Sequence, residues 1–105
     1  MDEIRGFDVQ ILSKAVVLWT GYETAQCPTR EDAALEKVFP IDEAAKLLTI
    51  VKMLEDDCFK SQAHITARDL SEMKDIAFDD FRRLHPELPK VIADAFAWCY
   101  TFDYK

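Results

Sequence analysis

Two histidines, three cysteines and twenty carboxylates are the groups in this 105-residue chain that could do chemistry. His64 and His85 belong to no HxxxH or HExxH pattern, the spacing that sets two ligands on one helical face. Both fall in expected loops, where a histidine is solvated or caps a helix end. Cys27, Cys58 and Cys99 are widely spaced, with neither a CxxC pair nor a histidine at ligand distance. They read as reduced thiols of a cytoplasmic protein. Cys58, between Asp57 and Lys60, reads as a half-buried structural residue, because nothing beside it lowers a thiol pKa decisively. Only two glycines occur in the chain, which excludes a glycine-rich phosphate cradle. Carboxylates do occur in pairs, namely Asp56 with Asp57, Glu72 with Asp75, and Asp79 with Asp80. Glycoside hydrolysis needs two carboxyls held across a cleft, one of them with a raised pKa, and neighbours on an exposed helix face do not supply that. The residues therefore predict no catalytic centre, no metal and no cofactor.

Charge then becomes the leading feature. Thirteen Lys and Arg against twenty Asp and Glu give a net charge of −7 and a pI near 4.7. That sign opposes phosphate backbones and anionic lipid, so neither nucleic acid nor a membrane surface is expected as a partner. No stretch reaches the roughly 18 apolar residues of a spanning helix, and the acidic Met1–Arg5 start does not resemble a secretion signal. Glu72, Asp75 and Asp79 fall on one helix face. Arg68 precedes Glu72 by four residues, and Arg82 and Arg83 follow Asp79 by three and four. That face reads either as a salt-bridged solvated surface or as a negative patch that docks on a basic cleft. Thirteen interspersed cations argue against a mimic of DNA.

The elements that must carry these residues are helices. Half the chain is hydrophobic and glycine and proline are few, so the sequence predicts one folded domain over residues 1–105. Phe7, Ile11, Leu12, Ala15, Val16 and Trp19 recur at helical spacing and predict a first helix from Asp8 to Thr20, stopped by Gly21. Pro28 and Thr29 open an expected second helix, capped by Thr29, that carries Leu35, Val38 and Phe39 up to Pro40. Asp42 caps an apolar third helix to Phe59, which ends in Glu55-Asp56-Asp57 against the helix dipole. Thr66 caps a fourth, whose stripe Leu70, Met73, Ala77, Phe81 and Leu84 spans about 80° of arc. His85 to Pro89 forms a turn, and a fifth helix points Leu88, Val91, Ile92, Ala95, Cys99 and Phe102 inward. Phe96, Trp98, Tyr100, Phe102 and Tyr104 also alternate with the period of a strand. The helical set starts earlier and includes Ala93, Ala95 and Ala97, so helix is preferred. Tyr100 and Tyr104 fall outside the apolar arc and read as interface anchors, while Trp98 sits at its edge. The expected fold is all-α, a compact antiparallel bundle of four to five amphipathic helices.

The run Ile76-Ala77-Phe78-Asp79-Asp80-Phe81, then Pro86-Glu87-Leu88, then Asp94-Ala95-Phe96 resembles a small family of helical immunity proteins. Their pattern is I-A-x-x-[DE]-F, four residues, P-E-L, five residues, D-A-[FY]. This chain matches it without a gap from Ile76 to Phe96. Upstream the likeness is looser, and Thr24 to Pro40 looks like an insertion or a diverged region. The family's members are antidotes to type VI secretion effectors whose toxin domains consume NAD or NADP. The resemblance implies a cytoplasmic, non-catalytic protein that binds a cognate toxin domain and blocks its nucleotide-binding cleft. Because Thr24 to Pro40 departs from the family, the expected target is an NAD(P)-hydrolysing toxin or another nucleotide-consuming enzyme, such as a nucleotide pyrophosphokinase. Charge, rather than the resemblance, points to Glu72, Asp75 and Asp79 as the docking carboxylates, followed by Asp56 and Asp57, with Tyr100 as an anchor. A helical adaptor that binds a basic partner protein is the alternative.

Overall fold

The computed structural model describes residues 8–105. Phe7 and the Met1–Arg5 start lie outside the described residues. Among the described residues, four long helices and two single turns make up the secondary structure: α1 Val9–Thr20, α2 Ala33–Glu36, α3 Ile41–Cys58, α4 Ala63–Thr66, α5 Leu70–Leu84 and α6 Lys90–Tyr104. No strand occurs among the described residues. The all-α bundle is as expected, and the aromatic alternation near the C-terminus is helical.

The helix ends follow local chemistry. Asp8 caps α1 by accepting from the Gln10 N–H at 2.7 Å. Gly21 ends α1 with φ +79, where a Cβ would meet the Ala25 Cβ at 3.0 Å. Pro40 and Pro89 stand immediately before α3 and α6, where a missing N–H costs nothing. Asp42 therefore lies in the first turn of α3 and does not cap it.

Two further expected boundaries are corrected. Thr29 does not open a helix. Its N–H bonds the Thr20 carbonyl and its hydroxyl the Trp19 carbonyl, while the Glu31 N–H reaches Trp19 as well. The segment after α1 is thus spent on satisfying α1's free carbonyls, and only Ala33–Glu36 remains helical. Thr66 does not cap α5 but closes α4. Asp69 is the cap, accepting from the Glu72 N–H at 2.8 Å, and Glu72 reaches back to the Arg68 N–H at 3.1 Å.

The core is one cluster fed by every element. On α5 the stripe is buried at Met73, Ala77 and Phe81. Leu70 and Leu84 are exposed because they lie at the helix ends, beyond the packed neighbours. Helix α6 packs against α1, α3 and α5 together. Its buried set runs through Ile92, Ala93, Ala95, Phe96, Ala97, Cys99 and Tyr100, much wider than one amphipathic stripe. Cys58 and Cys99 are buried, and burial pushes both thiols up to about 12. Cys27 is exposed and unpaired.

One side chain joins three distant parts of the chain. Arg30, at φ +47, donates from Nε to Glu55 of α3 at 2.6 Å and from Nη2 to Asp103 of α6 at 2.7 Å. Its guanidinium also stands 5.9 Å from the Phe59 ring centroid. Replacing Arg30 with Ala removes a charged, forked donor and is expected to cost about 1–3 kcal/mol. Urea unfolding of wild type and variant measures it.

Candidate docking surface

Helix α5 displays two different acidic features. Along its outer face lie Glu72, Asp75 and Asp79, on the side away from buried Met73, Ala77 and Phe81. Glu72 is tied to Arg68 at 2.9 Å. Asp75 and Asp79 are exposed and have no ion-pair partner among the described residues. The salt bridges that spacing allowed between Asp79 and Arg82 or Arg83 do not form. Arg82 turns to the Leu88 carbonyl and closes the turn before α6, and Arg83 pairs with Asp80. This face is accordingly more negative than its sequence spacing implies.

The second feature is an open groove of about 410 Å³ between the C-terminal ends of α3 and α5, lined by Asp57, Lys60, Ser61, Gln62, Asp80, Arg83 and Leu84. Asp57 accepts from His85 Nε2 at 2.8 Å on one oxygen and from Lys60 at 3.0 Å on the other. Because an ionised carboxylate only accepts, Nε2 carries the proton. Burial opposes the Asp57 charge, but the hydrogen bonds from His85 and Lys60 outweigh it and hold the carboxyl below its ordinary value. His85 is 2% exposed, not solvated as a loop histidine would be, and its Nδ1 lies 3.7 Å from Glu87. It does not line the groove, so it serves as a buried positioning group. Asp57 is accordingly half committed to the fold. Asp56 beside it is exposed and holds no ion pair among the described residues.

Tyr100 requires a correction. It is fully buried and cannot anchor a partner. Its hydroxyl donates to the Ser61 carbonyl at 2.7 Å and accepts the His64 N–H at 3.0 Å. With that single proton committed, His64 Nδ1, 2.6 Å away, must carry its own proton and donate. A simple apolar arc misplaces Tyr100 because α6 is covered on several sides and α4 supplies a polar lid for the phenol. Burial pushes that phenol up. Tyr104 is the exposed member of the pair, its ring stacked on His64 at 4.2 Å. Trp98 is half-buried against Tyr22, their ring centroids 5.7 Å apart.

Sequence spacing located Glu72, Asp75 and Asp79 on one face. It missed Asp80 and Ser61, whose Oγ donates to Asp80 Oδ2 at 2.7 Å across nineteen residues. No local signal joins them. Among the described residues no three His, Cys, Asp or Glu side chains are grouped to hold a metal ion. No described helix is long and apolar enough to cross a membrane. The chain matches no known family, no curated protein and no solved structure in comparison with each.

The lowered Asp57 pKa fixes a sign. Its stabilisation is fully present above the ordinary value of 3.8 and is lost as pH falls through the lower folded value. Asp57→Asn is expected to destabilise the protein at pH 7, with the gap to wild type closing towards pH 2. Urea unfolding of both proteins across that range checks it.

Proposed function

We propose that this chain is an immunity protein: it binds the toxin domain of a secreted antibacterial effector and covers its nucleotide-binding cleft, without turning anything over itself. The observation that carries the reading is the outer face of α5, where Asp75 and Asp79 stand exposed beside Glu72 with no ion-pair partner among the described residues. A cleft that holds an anionic dinucleotide is electropositive, and a partner of net charge −7 is steered to it. Occlusion needs only an interface of ordinary size, about 800 Å² per partner. The fit of Ile76 to Phe96 to the pattern of helical immunity proteins supports a target that consumes NAD or NADP. On this reading the protein acts in the cytoplasm of the producing cell, where it forms a heterodimer with the toxin domain.

The direct test is co-expression with the toxin domain encoded beside this gene, with growth and cellular NAD followed together. Both are expected to be maintained with the antidote and to collapse without it; equal collapse in both cases overturns the reading. Reversing Glu72, Asp75 and Asp79 together to Lys is expected to weaken the heterodimer at least about tenfold, near 1.4 kcal/mol. The same variant should flatten the salt dependence of association. Binding isotherms at low and high salt read both effects, and unchanged values would place the contact elsewhere.

A further inference from the structure

The segment that leads from α1 to α2 is built unlike the rest of the molecule. None of residues 23–34 is buried, and the core cluster takes Trp19, Tyr22 and then Leu35 with nothing from between. Residues 23–32 form neither helix nor strand. Among the described residues, the two non-glycine positions with φ in the left-handed region are Glu23 at +69 and Arg30 at +47, towards opposite ends of this stretch. A residue with a Cβ holds that conformation only where its surroundings impose it.

Here polar contacts impose it. The Thr29 N–H bonds the Thr20 carbonyl at 2.9 Å, the Thr29 hydroxyl bonds the Trp19 carbonyl at 2.9 Å, and the Glu31 N–H reaches Trp19 at 3.1 Å. Asp32 accepts from the Trp19 indole at 2.9 Å and from Lys52 at 3.3 Å. Arg30 reaches furthest, to Glu55 on α3 and Asp103 on α6. Each neutral contact is exchanged for one to water on opening, so its net worth is small. The forked, charge-assisted bonds of Arg30 are the strong ones.

We propose that residues 23–32 form a strap that swings open as a unit while the bundle stays folded, with Arg30 as its latch. The strap gives no side chain to the core, so opening forfeits little apolar burial. It also relieves the two left-handed residues. The flanks stay in place, since Gly21 ends α1 and Leu35 is fully buried. Opening takes Arg30 from between Glu55 and Asp103, and Asp32 from the Trp19 indole. Two carboxylates and an indole N–H that are paired in the closed chain then meet water. The device goes beyond the immunity reading and stands or falls without it.

Native-state hydrogen exchange of the isolated chain, followed by NMR in zero to low urea, tests the strap. The Thr29 and Glu31 amides and the Trp19 indole N–H report on it. The Val51 and Phe96 amides, at buried positions of α3 and α6, report on the bundle. Strap protons are expected to be at least about tenfold less protected than bundle amides, at a level that low urea leaves flat while the bundle amides lose protection. Arg30→Ala is expected to lower strap protection about tenfold. The pairs of Arg30 are broken in the open and unfolded states alike, so the bundle amides lose the same factor and the gap remains. Asp103→Asn is an exposed change in the last turn of α6 that retains the fold and weakens one of the two pairs. It is expected to lower strap protection about threefold. Strap protons with the protection and urea slope of the bundle overturn the strap. Strap protection that either variant leaves unchanged overturns the latch.

Discussion

An acidic sequence at the wrong end of a helix organises this molecule. Helix α3 finishes in Glu55-Asp56-Asp57, where the dipole is already negative, and the chain must bring positive or proton-donating groups there from elsewhere. It does so twice over long distances. Arg30 arrives from the segment after α1 to hold Glu55, and His85 arrives from the end of α5 to hold Asp57. Lys60 adds a local contact. Since Arg30 also grips Asp103 on α6, the charged end of one helix fixes the relative positions of three others. Removing the acids would relieve the local cost and loosen the tertiary arrangement in the same stroke.

The polar network beneath the groove belongs to the same logic. Ser61 bonds Asp80, accepts from the Ala63 N–H and, through its carbonyl, receives the Tyr100 phenol. No buried side-chain nitrogen or oxygen among the described residues lacks a partner. Full satisfaction makes such a network rigid rather than merely tolerated. Under the proposed reading as a binding protein, a rigid floor keeps the presented shape fixed. Interface energy is then not spent on ordering its own side chains.

Much of this was legible in the sequence. The helix count, the Gly21 stop, the turn from His85 to Pro89 and the α5 core stripe all rest on local periodicity and local stereochemistry. So does the shared face of Glu72, Asp75 and Asp79. Most failures have a common cause. Thr29 and Tyr100 were assigned by what stands near them in sequence, but their partners come from other elements: Trp19 and Thr20 for Thr29, Ser61 and His64 for Tyr100. Thr66 lost its capping role because Asp69 competes for the same helix start with a charged acceptor. His85 read as a solvated or capping loop residue; it does stand at the C-cap of α5, but it is buried, and nothing within several positions of it hints at Asp57. Pairings across nineteen to seventy-three residues leave no spacing signature.

The distribution of the three thiols has a practical corollary. Cys58 and Cys99 sit in the core with pKa values near 12, so at neutral pH they are protonated as well as walled off. Cys27 alone meets solvent, on a segment anchored at both sides by Thr29 and Gly21 to the end of α1. The native chain thus carries a single natural handle for a maleimide dye or a crosslinker, and no engineered cysteine or thiol deletion is needed to report on what the molecule touches.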